Sequence, residues 1–273
     1  MNKLSTPQKK DLLKSFGPAA FVSGASSGIG KELAYHLADA GFQLLLQGRN
    51  KNELLKQKDE LRFVHGCEVE LFIGDLSDPN TIQELCSALD DYPIGLAVLA
   101  AGFGTSGPFL QNSINAEMNL LRVNIEAVAQ LSHYFGRRFV EDGRGGILLF
   151  SSLLAFQGTP YAANYAASKA YIQSFGEALY RELKPFGVRV HTTAPGPVQS
   201  GFEERANMKM SLSATPNQVA VSMLRKLNQG PVSTPGFLSR FLTYSLRTLP
   251  RRFKVLAIEQ IMKKMTAHQN FQT

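Results

Sequence analysis

The chain has 273 residues, 44% of them hydrophobic and 19% charged, which excludes a disordered or fibrous protein. Its formal net charge is +7, but residues 240–273 hold seven basic side chains against Glu259 alone, so the rest of the chain is close to neutral. Because the basic excess does not extend over the predicted domain, we expect no nucleic-acid partner.

Cysteine content and the N-terminus indicate the compartment. Cys67 and Cys86 lack CxxC spacing and are too few for a disulfide framework, which favours a reduced environment. The first 20 residues have no apolar signal-peptide core, and no stretch of about 18 uncharged apolar residues occurs. We therefore expect a cytoplasmic protein that does not span a membrane. The five histidines show no metal-ligand spacing, so no metal site is expected.

Short apolar segments alternate with longer helical patterns along the chain. Because several of these segments are apolar throughout, they are typical of strands in a parallel sheet covered on both faces. We predict an α/β fold with a doubly wound (Rossmann-type) parallel sheet. The predicted strands are residues 19–23, 43–47, 70–73, 96–100, 147–151 and 188–192, with a short, proline-flanked strand at 232–233.

A glycine-rich turn follows the first predicted strand directly. Residues 23–30 read SGASSGIG, and a helical pattern continues to Gly41. Gly24 permits a tight turn, Gly28 allows the backbone to approach a pyrophosphate, and Gly30 lets the helix pack on the sheet. A helix N-terminus also favours negative charge. The turn indicates a dinucleotide site, although such a turn alone is weak evidence.

A second cluster indicates acid–base chemistry. Tyr165 and Lys169 lie four residues apart in a helical pattern, so phenol and ammonium share one face. A free tyrosine is a poor acid or base near neutral pH. Lowering its pKa by about three units requires roughly 4 kcal/mol of phenolate stabilisation, and a buried cation supplies stabilisation of that kind. Ser152 follows the strand 147–151, at the sheet edge where such folds bind ligands. The alternative for the Tyr165–Lys169 pair alone is a solvated helical pair.

With these motifs together, the chain resembles the short-chain dehydrogenase/reductase family over about residues 19–202. Its glycine motif TGxxxGIG is matched with Ser23 in place of threonine, whereas the family's NNAG is LAAG here, at residues 99–102, which leaves the position of that turn open. The resemblance implies catalytic roles for Asn124, Ser152, Tyr165 and Lys169. It implies cofactor contacts from Gly24, Ser26, Ser27, Gly28, Ile29, Gly30, Arg49, Asp75, Leu76, Ala101, Gly102, Tyr165, Lys169, Pro195, Gly196, Val198 and Ser200.

The resemblance also implies a mechanism. Ser152 would hold the substrate carbonyl, Tyr165 would protonate its oxygen, and a nicotinamide would deliver hydride. Lys169 would lower the phenol pKa and bind the ribose. Asn124 would hold a helix kink and a water that links Lys169 to solvent.

The residues after the second predicted strand indicate whether the cofactor is NAD or NADP(H). An NAD site places a carboxylate here, whereas Gly48 offers none and Arg49 can pair with a 2′-phosphate. NADP(H) is therefore predicted; the alternative is that Arg49 only stacks on adenine.

The substrate is expected to be lipophilic at its reacting end, because the residues that the resemblance places at the mouth of the site are apolar and include no lysine or arginine. The alternative is that several of them are core residues. They are Phe103, Phe109, Leu153, Leu154, Phe156, Tyr161, Val198 and Phe202.

The basic tail, residues 237–268, is predicted to form two amphipathic helices separated by Pro250. It is similar to the C-terminal region of family members that reduce steroids or long-chain 3-ketoacyl thioesters. We expect it to pack over the substrate site or on a partner subunit, in a homodimer or homotetramer built partly on Leu242, Leu249, Ile258 and Met262. Contact with an anionic membrane surface is the less favoured alternative.

These observations predict residues 1–235 as a dinucleotide-binding and catalytic domain, with residues 236–273 as its helical appendage. The predicted function is NADPH-dependent reduction of a lipophilic ketone, aldehyde or 3-oxoacyl substrate, or oxidation of the alcohol. Two alternatives stay open: a non-catalytic NADP-sensing protein on the same fold, and a membrane-surface scaffold that uses the basic tail.

Overall fold

The computed structural model describes residues 3–209, 213–236 and 250–269. Its centre is a parallel sheet in the order β3-β2-β1-β4-β5-β6-β7. The predicted fold is confirmed, including the short last strand. The strands are β1 Ala19–Ser23, β2 Gln43–Gly48, β3 Val69–Ile73, β4 Ile94–Leu99, β5 Gly145–Phe150, β6 Val188–Thr193 and β7 Val232–Ser233.

Helices cover both faces of the sheet and supply the crossovers that parallel strands require. The α-helices are α1 Thr6–Phe16, α2 Gly28–Asp39, α3 Lys51–His65, α4 Pro79–Leu89, α5 Ile114–Leu121, α6 Ala127–Glu141, α7 Ala163–Leu183, α8 Phe202–Arg205, α9 Pro216–Lys226 and α10 Arg251–Thr266. Short 3₁₀ helices span Phe109–Gln111, Leu153–Phe156, Lys184–Phe186 and Ala267–Gln269, and a π-helical turn spans Arg122–Glu126. Within the described residues, no helix is long and apolar enough to cross a membrane.

Strand β1 shows how the sequence builds two cores. Successive side chains of a strand point to opposite faces. Ala20 and Val22 therefore join the cluster formed with α1, α2, α3 and α9. Phe21 joins the cluster formed with α4, α6 and α7, where its ring centroid lies 5.3 Å from that of Phe135. Both faces are covered, so all five residues of β1 are buried.

Helix α1 was not assigned from the sequence. Ser5 and Gln8 form a reciprocal capping box at its start, so the local signal was present. Leu12 and Phe16 are buried in the first of the two clusters. The N-terminal segment is thus part of the domain core.

Of the two predicted tail helices, one lies outside the described residues and the other is α10. Ile258 and Met262 of α10 are buried against Leu120 and Tyr165 of the same chain. Their predicted place in an oligomer interface is therefore wrong, because the chain itself covers them. The oligomer stays a prediction, and Leu242 and Leu249 lie outside the described residues.

Candidate active site

A polar cleft of about 630 Å³ opens at the carboxyl ends of the strands, where the order reverses between β1 and β4. Open α/β sheets bind ligands at such a switch point. The structure brings most of the predicted cofactor residues together there: Gly24, Ser26, Ser27, Gly28, Ile29, Gly30, Arg49, Asp75, Leu76, Ala101, Gly102, Tyr165, Lys169, Pro195 and Ser200.

Two glycines of the turn combine a positive φ with a lack of space for a side chain. Gly24 has φ +65°, and a Cβ there would lie 2.8 Å from the Ala101 Cα. Gly28 has φ +58°, and its Cβ would lie 2.9 Å from the Ser200 Cβ. Both positions require glycine for the backbone conformation and for close approach. The turn therefore adopts the conformation that the sequence motif predicts.

Two side chains brace this turn. The Ser23 hydroxyl accepts a hydrogen bond from the Ala101 N–H at 3.1 Å, which holds the LAAG turn against the glycine turn despite the missing asparagines. The Gln47 side chain accepts from the Gly24 N–H at 3.4 Å and donates to the Gly74 carbonyl at 2.8 Å. Gln47 was missed by the sequence analysis; the available signal was a polar residue within an apolar strand.

Helix α2 begins at Gly28 with its N-terminus on the cleft. Its N-cap residue, Ser27, makes no side-chain hydrogen bond to the helix. The first amides of a helix have no partner within it. They are available here to an anion, and the dipole of α2 favours negative charge at this end.

Two arginines, Arg49 and Arg205, line the cleft. The Arg49 guanidinium lies 3.2 Å from the Asp75 carboxylate, and both side chains are partly exposed. Burial opposes ionisation of Asp75, but hydrogen bonds from Ser77 and Arg49 prevail and lower its pKa. Arg205, missed by the sequence analysis, also lines the cleft and donates to the Ser200 carbonyl at 3.5 Å. Burial, followed by the charge of Arg49, lowers the pKa of Arg205.

Of the predicted catalytic residues, Tyr165 and Lys169 line the cleft, and Ser152 lies beside Tyr165. Ser152 follows β5, and its hydroxyl accepts from the Leu154 N–H at 3.2 Å. Tyr165 and Lys169 lie one turn apart on α7, with the Lys169 Nζ 5.8 Å from the tyrosine ring centroid. The ammonium donates to the Phe150 carbonyl at 2.9 Å. All three side chains are buried or nearly so.

Burial dominates the ionisation of this pair. It raises the pKa of Tyr165 to about 12, against the opposing effect of a hydrogen bond with Ser152. It lowers the pKa of Lys169 to about 8. Burial outweighs the hydrogen bond with Ser152 in this arrangement, and the lowering of the phenol pKa by Lys169 stays a prediction. At neutral pH, Tyr165 therefore holds its proton and Lys169 its charge.

Asn124 does not line the cleft, but it holds residues next to the cleft in place through hydrogen bonds. It is fully buried in the π-helical turn between α5 and α6, as the predicted helix irregularity requires. Its amide accepts from the Phe103 N–H at 3.1 Å and donates to the Phe103 carbonyl at 2.9 Å and to the Ser168 hydroxyl at 3.1 Å. It thereby joins the segment after β4 to helix α7.

An apolar cavity of about 250 Å³ adjoins the cleft, and Tyr165 lines both. Ser152 lies in its wall. Helix α10, the described part of the tail, forms one side of this cavity. The predicted mouth residues found in this wall are Leu153, Leu154, Phe156, Val198 and Phe202, and α10 contributes Lys254, Ile258, Ile261, Met262 and Met265.

Several placements differ from the sequence analysis. Gly196 and Val198 line the apolar cavity instead of the cofactor cleft, because the chain after β6 runs along the boundary between the two. Phe103 lines the cleft instead of the mouth. Phe109 and Tyr161 line neither space. Lys254 adds a cation to a wall that was expected to have none.

The family model for short chain dehydrogenases matches residues 18–211. The chain belongs to this family. A human relative named "Inactive hydroxysteroid dehydrogenase-like protein 1" is 31% identical over 73% of this chain and 61% of its own length. A very-long-chain 3-oxoacyl-CoA reductase of Neurospora crassa is 33% identical over 64% of this chain and 54% of its own length. The matched region thus spans less than two thirds of these short-chain dehydrogenase relatives.

A solved short-chain dehydrogenase from Sphingobium yanoikuyae, in complex with NADPH, superposes with a TM-score of 0.79 at 26% identity. The alignment covers 88% of this chain and 96% of that one. The predicted family is therefore confirmed in both sequence and architecture. The names of the relatives include a reductase and a protein called inactive, so membership in the short-chain dehydrogenases does not establish turnover.

Proposed function

We propose that the chain is an NADP(H)-dependent oxidoreductase that reduces the carbonyl of a lipophilic ketone, aldehyde or 3-oxoacyl substrate, or oxidises the corresponding alcohol. One observation carries the proposal. Tyr165 lines both the polar cleft and the apolar cavity, with Ser152 and Lys169 beside it. A proton donor at this junction can meet a cofactor on one side and a substrate on the other.

The donors of the cleft fit a phosphorylated dinucleotide. The glycine turn and the uncapped start of α2 suit the pyrophosphate. Gly48 provides no carboxylate for a ribose 2′-hydroxyl, whereas Arg49 and Arg205 provide two guanidinium groups for a 2′-phosphate. The NADPH complex of the Sphingobium relative supports the same assignment.

In the proposed reaction, bound NADPH supplies the hydride that reaches the carbonyl carbon. The Ser152 hydroxyl donates a hydrogen bond to the carbonyl oxygen and orients it towards Tyr165. Tyr165 then transfers its phenolic proton to that oxygen, which completes the alcohol. Because burial holds the pKa of Tyr165 at about 12, the donating form persists throughout the neutral range. Lys169, anchored on the Phe150 carbonyl, keeps a positive charge beside the phenolate that forms.

The apolar cavity supports a lipophilic substrate. Its walls are formed mainly by aliphatic, aromatic and methionine side chains; the polar side chains that line it are Ser152, Gln157, Tyr165, Ser200 and Lys254. Such walls bind apolar groups and exclude water from the reacting carbonyl. The name of the Neurospora relative is consistent with a long-chain 3-oxoacyl substrate.

The second candidate is a non-catalytic NADP-binding protein, which the name of the human relative favours. Turnover decides between the two candidates. NADPH oxidation is measured with ketones of graded chain length, in parallel with titration of NADPH binding. We expect Tyr165→Phe to lower turnover by about 10²–10⁴-fold while NADPH binding changes little.

Tyr171→Phe is the matched control, since Tyr171 lies on the same helix, is 39% exposed and has its ring stacked on that of Phe175. It should leave turnover unchanged. A wild-type chain that binds NADPH and turns over no ketone would establish the non-catalytic candidate. Retained turnover in Tyr165→Phe would exclude the tyrosine mechanism.

A further inference from the structure

The apolar cavity has one cationic side chain among the described residues that line it. This is Lys254, which lies in the first turn of α10 and is partly buried. No ion pair within the described parts of the chain includes Lys254, whereas Lys263 on the same helix pairs with Glu259 at 2.6 Å. The cavity therefore offers an ammonium group beside apolar walls.

The position of Lys254 relative to Tyr165 follows from the helix. Residues 254, 258, 261, 262 and 265 recur at helical spacing and face the cavity. Ile258 and Met262 belong to the same buried cluster as Tyr165. With a rise of 1.5 Å per residue, Lys254 lies about 6 Å along the axis from Ile258 and about 12 Å from Met262. The helix position of Lys254 is thus displaced along the cavity wall from the residues of α10 that belong to the Tyr165 cluster.

We propose that the cavity binds an amphiphilic ketone: its carbonyl at Ser152 and Tyr165, its apolar body along α10, and an anionic group paired with Lys254. This inference rests on the proposed function and specifies its substrate class. The anion is a carboxylate of the substrate itself or a phosphate of its carrier. An anion gains a charge-assisted hydrogen bond from the Lys254 ammonium, whereas a neutral chain end leaves that ammonium unpaired beside it.

The experiment uses the full chain with NADPH and three sets of probes. The first is a series of oxo fatty acids in which the ketone stands progressively further from the carboxylate. The second is their methyl esters, which have the same apolar body without the charge. The third is a 3-oxoacyl coenzyme A thioester, which places the anion on the phosphates of the carrier.

We expect the acids, or the thioester, to have a KM about tenfold below that of the esters at low ionic strength. Added salt should narrow this difference, because the pair is partly exposed. Among the acids, an intermediate separation should be best, since the Lys254 side chain reaches only a limited distance from its position on α10. Whichever anionic probe shows the preference identifies the source of the anion.

Variants assign the preference to one side chain. Lys254→Gln should raise the KM of the preferred anion about tenfold with little change in kcat, and leave the KM of the ester unchanged. Lys254→Glu should raise it further, and Lys254→Arg should restore it, which a merely structural role would not explain. Lys264→Gln, on an exposed face of the same helix, is the control and should have no effect.

Different results would contradict the proposed function and the role of Lys254. If neither esters nor anionic probes are reduced, the proposed function is wrong. If the esters are reduced but no anionic probe is preferred, the role of Lys254 is wrong while the proposed function stands. Equal effects of Lys254→Gln on esters and anions would likewise overturn the role of Lys254.

Discussion

The buried ammonium of Lys169 gives the sharpest prediction, because it should lower stability while serving the site. Burial lowers its pKa from the ordinary 10.5 to about 8. One pKa unit corresponds to about 1.4 kcal/mol, so keeping the charge at pH 7 costs about 3 kcal/mol of unfolding free energy. Lys169→Met removes that cost but also removes the hydrogen bond to the Phe150 carbonyl, about 1–2 kcal/mol. We expect the variant to be inactive and more stable by about 1–2 kcal/mol.

The pH dependence of this difference follows from the direction of the shift. Below pH 8 both the folded and the unfolded chain keep the proton on Lys169, so the cost is constant. Between the folded and unfolded pKa values the unfolded chain binds more protons, so wild-type stability rises with pH. By about pH 9.5 the wild type should have regained about 2 kcal/mol relative to Lys169→Met. The variant should then have lost its advantage.

Urea unfolding at pH 7 and at about pH 9.5, without added nucleotide, measures the stability difference between Lys169→Met and the wild type and its change with pH. Lys56→Met is the control, because Lys56 is exposed on α3 and its ammonium stays in water. Its stability relative to the wild type should be the same at both pH values. A Lys169→Met variant that is less stable at pH 7, by an amount that does not change with pH, would refute the burial argument.

Three further predictions concern the cofactor, the loop after β4 and the assembly. Arg49→Ala should weaken NADPH binding by about 1–2 kcal/mol and scarcely change NADH binding, since the side chain is partly exposed and shared with Asp75; equal losses for both nucleotides in a fluorescence titration would contradict the NADP assignment. Gly102→Ala should lower kcat more than Tm, because its Cβ would stand 3.0 Å from the Asn124 Oδ1 and 3.4 Å from the Lys169 Nζ; unchanged kcat would show that this contact relaxes freely. Light scattering should show a dimer or tetramer at both low and high salt, because an apolar interface is not screened; a monomer at both would end the oligomer prediction.

Local sequence patterns were sufficient for the fold and for the centre of the site. The apolar strands alternate with helical segments, and every strand end was placed to within two residues, with the largest differences at the starts of β4 and β5. The glycine turn and the Tyr165–Lys169 spacing are encoded within a few residues each, so their geometry follows from one turn or one helix. The relation of Ser152 to them follows from the shared carboxyl edge of a parallel sheet.

Other features depend on contacts between segments that are distant in the chain. Arg205 lines the cleft because α8 ends beside it, and no local pattern distinguishes this arginine. Gln47 is distinguished locally as a polar residue in an apolar strand, but its contacts with Gly24 and Gly74 depend on the pairing of β2 with β1 and β3. Helix α10 forms a wall of the apolar cavity because it packs in the same buried cluster as Tyr165, although the two are distant in the chain. Lys254 lines that cavity for the same reason. The phenol pKa likewise depended on how completely the folded chain excludes water from it. Spacing in a sequence shows which groups can meet, whereas burial and ionisation are properties of everything packed around them.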